Sequence, residues 1–194
     1  MKRIGILILL AVLALTLING CSSFNSMVSG REKVNTQWAN VEAQYQKRSD
    51  LIPNLVATVK GVADFEQKTL TDIVEARSKA TQVKIDPSNM TEEDMKRFQE
   101  AQGTLSNALG RLLMITENYP QLRATESFKE LQSQLEGIEN RIAVERQKFN
   151  EVCREYNTGI QSFPKNIYAG IFGFKPRPYF TAAAGADKAP EVKF

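Results

Sequence analysis

Apolar residues recur along this chain with the period of helices, not of strands. Between residues 34 and 45 they fall at Val34, Trp38, Val41 and Tyr45, in steps of four, three and four. The phase passes over Arg48 and resumes at Ile52, Leu55, Val59 and Val62, then skips Glu66 and returns at Leu70 and Ile73. Such a stripe belongs to an amphipathic helix with heptad spacing. It predicts one helix over residues 25–80, roughly 80 Å long at about 1.5 Å per residue. Pro53 falls inside it. A proline removes one backbone bond and crowds the carbonyl four residues back, here that of Ser49. Because the stripe keeps its phase across Pro53, one kinked helix is expected there rather than two.

Asp86-Pro87-Ser88-Asn89 reads as a turn. Thr91 is the expected N-cap of a second helix, with Glu92, Glu93 and Asp94 suited to its dipole. That helix carries Met95, Phe98, Leu105, Leu109 and Leu112 and stops near Tyr119-Pro120. A third is expected over residues 125–163, with Phe128, Leu131, Leu135, Ile138, Ile142, Phe149, Val152, Tyr156 and Ile160 on its stripe and Glu145 as the one skip. Residues 166–180, NIYAGIFGFKPRPYF, lose the period but are too apolar for a free tail. They predict a short packed segment over the bundle end or, alternatively, an exposed strap against the bilayer. Residues 181–194 read as a disordered tail.

The expected fold is therefore all-α: an elongated antiparallel helical bundle over residues 21–180. Three long helices plus a short C-terminal packed segment resemble a four-helix bundle, preceded by a signal or anchor segment. Short corners place the second helix back along the first and the third parallel to it. The first half of helix one then lacks cover within the chain, which leaves a surface for self-association.

At the N-terminus Lys2 and Arg3 precede an apolar run over residues 4–18, interrupted only by Thr16. Small and polar residues follow, in the order of a secretory signal. Fifteen helical residues reach about 22 Å, short of the roughly 30 Å hydrocarbon core. Ile18-Asn19-Gly20-Cys21 resembles the lipobox of bacterial lipoproteins, in which cleavage before the cysteine leaves a thiol that carries diacylglycerol. Two readings stand. Either residues 1–20 are a cleaved signal and Cys21 is the lipid attachment site, or residues 1–20 are an uncleaved anchor beside an incidental cysteine. Both place the rest of the chain outside the cytoplasm, because the basic residues stay inside. Ser22 and Ser23 follow Cys21, with no Asp to retain a lipoprotein by proteobacterial sorting rules; inner and outer membrane both stay open.

Charge narrows the function. Lys+Arg number 25 against 22 Asp+Glu, and setting aside Lys2 and Arg3 leaves 23 against 22. No clustered basic excess points to nucleic acid. The chain contains no histidine, which excludes His-based acid–base catalysis, Ser-His-Asp and Cys-His nucleophiles, and most zinc sites. Carboxylate-only chemistry is what remains. Neither a metal nor a cofactor is expected. Cys153 lies beside the third stripe as a small buried thiol, and no disulfide to Cys21 is expected.

Arg48, Glu66 and Glu145 occupy positions where the stripes call for apolar residues. Buried charges persist only when paired and hydrogen-bonded. With helices one and three parallel, Arg48 would meet Glu126 and Glu66 would meet Arg141, and such pairs would set helix alignment in preference to any catalytic or binding role. Asp50, Pro53 and Asn54 form a second cluster. Asp50 and Asn54 share a helix face, Pro53 frees the Ser49 carbonyl, and Asn54 is placed to satisfy part of the disturbed backbone. The alternative is a polar notch that receives a partner. Trp38 and Tyr45, on one stripe, read as packing residues within the chain or across a self-association interface.

Residues 44–61, QYQKRSDLIPNLVATVKG, resemble the signature of the LemA family of bacterial membrane proteins. Trp38, Glu66, Ala76-Arg77, Glu117-Asn118-Tyr119-Pro120, Phe149-Asn150, Tyr156-Asn157, Phe163-Pro164 and Tyr179-Phe180 extend the resemblance. There are departures: Phe65 stands where members commonly have histidine, Glu145 where a small residue is common, and Phe149 where tyrosine is. The resemblance implies an N-terminal anchor, an extracytoplasmic helical domain and no established enzymatic activity. It also implies an envelope protein as partner, with membrane-bound proteases as candidates because members are often encoded near them. The leading expectation is a membrane-anchored scaffold or adaptor. Lipid handling through the aromatic C-terminal segment and a carboxylate-only enzyme are the alternatives.

Overall fold

The computed structural model describes residues 2–61 and 66–181 and is built of helices, with no strand among those residues. The long helices are α1 (Lys2–Lys60), α2 (Gln67–Gln82), α3 (Glu92–Ile115) and α5 (Glu126–Gln161); α4 (Pro120–Ala124) and α6 (Lys165–Phe172) are short. Every stripe position of α1 from Val34 through Trp38, Val41, Tyr45, Arg48, Ile52 and Leu55 to Val59 is buried. The heptad phase thus runs unbroken through the core, with Arg48 in the place of a hydrophobe.

The helix expected over residues 25–80 is two helices. α1 begins earlier, at Lys2, and ends at Lys60, and α2 starts at Gln67. A basic residue in the last turn followed by Gly61 is a helix-stop signal, and the continuing apolar phase hid it. Val62, one of the stripe positions, and Phe65 lie outside the described residues. Pro53 does lie inside α1, as expected. The reversal brings α2 back along α1, so that Arg77 Nε donates to the Ser49 carbonyl at 2.8 Å. That carbonyl is the one Pro53 deprives of its helical donor. Arg77, not Asn54, repairs the break.

This reversal turns over everything that follows. α3 runs parallel to α1, with Phe98 against Trp38 and Ser106 against Arg48. α5 runs antiparallel to α1, with Glu139 at Arg48 and Glu145 at Gln37. The directions expected from three helices are both reversed, and α1, α2, α3 and α5 form an up-down-up-down bundle. The surface left for self-association along the first half of α1 is covered from within the chain, by Phe149, Cys153, Tyr156 and Ile160 of α5 and by Ala169 of α6.

Local chemistry fixes the corners. Asp86 Oδ1 accepts from the Ser88 amide at 2.8 Å, and the Asn89 amide closes onto the Asp86 carbonyl at 3.1 Å. Thr91 and Asp94 form the capping box that opens α3, each side chain meeting the other's backbone N–H. Gly173, at φ 72°, ends α6 in the left-handed conformation that glycine adopts without strain. Beyond it residues 174–181 form an extended strap that runs back along α5. The expected packed C-terminal segment is therefore a short helix plus this strap. The tail expected over residues 181–194 lies outside the described residues from 182 onward.

Among the described residues no helix is long and apolar enough to cross a membrane. Most side chains of the apolar run 4–18 lie outside that description.

Candidate functional site

The most concentrated polar chemistry in the interior surrounds Arg48, whose side chain is 1% exposed. Its heptad position points it at the bundle axis. Nη1 donates to Glu139 Oε1 of α5 at 2.7 Å and to Ser106 Oγ of α3 at 2.8 Å. Nη2 donates to the Gln102 side-chain oxygen, and the guanidinium lies 5.1 Å from the centre of the Tyr45 ring. Gln102 Nε2 then donates to the Ala80 carbonyl of α2 at 3.2 Å. One planar cation therefore joins all four long helices, directly or through Gln102, a task suited to the forked donor geometry of arginine. Glu139, not Glu126, is its counter-ion. The opposite directions of α1 and α2 place the middle of α5, instead of its start, beside Arg48.

Glu66 is not a buried charge. It is exposed at the N-cap position of α2, and its carboxylate accepts from the Thr69 hydroxyl at 2.8 Å. Negative charge there favours the helix dipole. Glu145 stands in the half-buried row of α5 with Leu131, Ile138 and Val152, where a charge is tolerated. Lys148 Nζ at 2.8 Å and Gln37 Nε2 at 2.6 Å hold its carboxyl below the usual carboxylate range. Asp50, Pro53 and Asn54 are all exposed on one side of α1, and Asp50 accepts from Gln46 at 2.7 Å.

Sequence reasoning missed the strap clamp. Asn157 Nδ2 donates to the Arg177 carbonyl at 2.8 Å, and the Arg177 amide returns a bond to Asn157 Oδ1 at 2.7 Å. Asn150 repeats the pattern on Phe180, at 2.9 and 2.8 Å. Each asparagine acts as a strand neighbour to one strap residue. The available signal was the recurrence of an aromatic–Asn pair, Phe149-Asn150 and Tyr156-Asn157, one heptad apart on α5. The Asn157→Ala variant removes both of these bonds and a third, from Nδ2 to the Tyr179 hydroxyl at 3.0 Å, and leaves a buried amide unpaired, so we expect strap docking to weaken by about 2 kcal/mol. Hydrogen exchange should then quicken at residues 175–181 and hardly change in α1.

The two cysteines differ in chemistry. Cys21 is exposed, while Cys153 is buried and its thiol is pushed up to about 12 by burial. Around pH 8 a thiol reagent should label an unlipidated folded chain at Cys21 alone, and Cys153 only after unfolding. A chain lipidated at Cys21 should show no reactive thiol until it unfolds. Rapid labelling of Cys153 in the folded protein would contradict this. Among the described residues no three Cys, Asp or Glu side chains converge as a metal site requires.

A groove of about 460 Å³ between α3 and α5 is floored by Leu109, Leu113 and Leu135 and bordered by Glu136, Glu139 and Asn140. It offers apolar surface beside the Arg48–Glu139 pair.

The sequence profile of the LemA family matches residues 37–194. Magnetosome protein MamQ 2 of Paramagnetospirillum magneticum is 28% identical over 181 residues, covering 84% of this chain and 66% of that protein. Magnetosome protein MamQ of Magnetospirillum gryphiswaldense is 28% identical over 204 residues, covering 96% of this chain and 74% of that protein. Protein LemA of Metamycoplasma hominis is 20% identical over 145 residues, covering 75% of this chain and 63% of that protein. The chain thus spans about two thirds of the length of the curated relatives it matches.

Proposed function

The chain belongs to the LemA family, and from that premise we propose that it is a membrane-anchored helical scaffold that holds a partner protein of the cell envelope and acts without catalysis. The observation that carries this reading is the continuity of α1. One helix of 59 residues bears the apolar run at one end and the core stripe at the other. Anchor and body are then a single rod, about 88 Å long at 1.5 Å per residue. Where the run is retained as the anchor, Lys2 and Arg3 stay on the cytoplasmic side; with either anchor the body stands outside.

The interior polar groups support the same reading. Arg48, Gln102 and Glu139 are engaged in joining helices, and so are Glu145 and Gln37. Partner contact falls to groups that remain at the surface. Asp50, Pro53 and Asn54 meet that requirement, on a stretch of α1 held firm by Arg77 beneath it.

The test is chemical crosslinking in intact cells with mass-spectrometric capture, beside a Cys21→Ala variant. One dominant envelope protein is expected in the captured material, a membrane-bound protease being one candidate. Loss of that partner from the Cys21→Ala chain assigns anchoring to the lipid; its retention assigns anchoring to the uncleaved apolar run. Self-crosslinks or background alone would overturn the scaffold reading.

A further inference from the structure

The end of the body nearest the anchor is unlike the rest of the surface. α6 lies across α1 beside Cys21. A Cβ on Gly20 would come within 3.2 Å of the Tyr168 ring. Phe24 meets Phe172 and Phe174 edge to face at 5.0 and 5.7 Å, and Lys165 Nζ donates to Ser26 Oγ at 3.0 Å. While one side of α6 buries Ala169, the other exposes Ile167 and Ile171, and Phe163 in the preceding turn is 81% exposed. These three recur at every fourth residue. No acidic residue occurs in residues 156–181, whereas Lys165 and Lys175 lie within them; the nearest acids are Glu32, paired with Arg31 at 3.7 Å, and Glu155, which shares a cleft with Lys165.

We propose that α6 and the turn before it are a second membrane contact, in which Phe163, Ile167 and Ile171 enter the headgroup boundary of a bilayer containing anionic lipid. The proposal deepens the anchored reading and rests on it. Its occupant is a lipid surface for two reasons. The first is position. Gly20, against which Tyr168 of α6 packs, lies about 3 Å along α1 from Ile18, where the apolar run ends, and headgroup regions add roughly 5–8 Å on each side of the hydrocarbon core. Either anchor, the run itself or a lipid on Cys21, therefore carries α6 to headgroup depth. The second is charge. An apolar stripe flanked by lysines, with no acid in its own segment, is the composition of an interfacial helix drawn to anionic lipid. An exposed stripe of this kind on a soluble surface would otherwise call for a covering partner. With two contacts the rod is held at a fixed tilt and does not swivel on its anchor.

The test uses the full chain reconstituted in vesicles of brominated phosphatidylcholine containing phosphatidylglycerol. Trp38, the only tryptophan, is fully buried and supplies a background that lipid bromine does not reach. The Ile171→Trp variant adds an indole at the proposed contact. Its emission should fall by about half relative to unbrominated vesicles, while that of the parent chain holds. Adding Lys165→Glu and Lys175→Glu should reduce that quenching severalfold. Ile167→Trp provides the same readout should Ile171→Trp fail to fold. A chain that floats with the vesicles without quenching of the added indole overturns the α6 contact and leaves the anchor standing. A chain that does not float overturns both. Blue-shifted emission without bromine quenching would place a second protein copy on the stripe and also overturns the proposal.

Discussion

The Arg48→Ala variant should lose about 3–5 kcal/mol of stability, the scale expected when one member of a buried ionic network is removed. Three consequences act together. Loss of the side chain leaves a void beside Tyr45 and Gln102. The buried Gln102 side chain keeps its bond to the Ala80 carbonyl but loses its donor, and an unpaired buried polar group is itself destabilising. Glu139, whose side chain is 43% exposed, can turn to water, so that the loss falls on the helix junction and not on the acid. The Arg48→Lys variant keeps the charge without the fork. It cannot reach α3 and α5 together, and we expect it to lose about 2 kcal/mol. The reverse change, Glu139→Ala, leaves the buried cation without a counter-charge and should be about as damaging as Arg48→Ala. Thermal melting followed by far-ultraviolet circular dichroism should show Arg48→Ala shifted down by roughly 10 °C. An unshifted melt would mean that the helices hold their register without this residue.

The second large effect is expected at Trp38. Its ring meets Phe98 at 5.2 Å and Phe149 at 5.5 Å edge to face, and stacks on Phe180 at 6.0 Å. It thereby joins α1, α3, α5 and the strap in one aromatic cluster. Trp38→Ala removes a fully buried indole and should lower stability by about 3–5 kcal/mol. Trp38→Phe keeps an aromatic ring but leaves part of the cavity, and about 1–2 kcal/mol is expected. Because Phe180 is held both by Trp38 and by the Asn150 clamp, Trp38→Ala and Phe180→Ala should couple. Their combined loss in urea titration should fall short of the sum of the single losses by about 1 kcal/mol. Strict additivity would show that the strap docks independently of the core.

The residues make plain why part of this structure is legible in the sequence and part is not. The α1 stripe is local information: a period, a phase and an interruption at Arg48 are visible without any partner. That Arg48 lies in the core could therefore be inferred. Its partner could not, because a partner depends on helix direction, and direction depends on the number of reversals. The reversal after Lys60 is marked by a single glycine, and α2 opens on Glu66 with no side-chain bond to its first amides. A continuous apolar phase outweighed both signals. Glu66 then looked like a buried charge on one helix when it is an exposed residue starting another. The turn at Asp86 and the capping box at Thr91 were legible because side chains there bond their own backbone, which is sequence-local chemistry. The strap was legible only as an apolar segment. Its clamps are asparagines bonding a backbone 20 or 30 residues away, and no periodicity announces such a bond.

Together these features describe a rod with one apolar, basic end and a body whose polar interior is committed to holding four helices in register. The claim on which the function depends is that such a rod presents a particular face to an envelope partner. The measurement that tests it most directly is in-cell photo-crosslinking from position 54, beside Asp50 on the exposed side of α1, with position 129 on the outer side of α5 as the control. A crosslink to one envelope protein from position 54 and none from position 129 is the predicted result. Equal crosslinking from both positions, or products containing only this chain, would contradict a scaffold that works through that face.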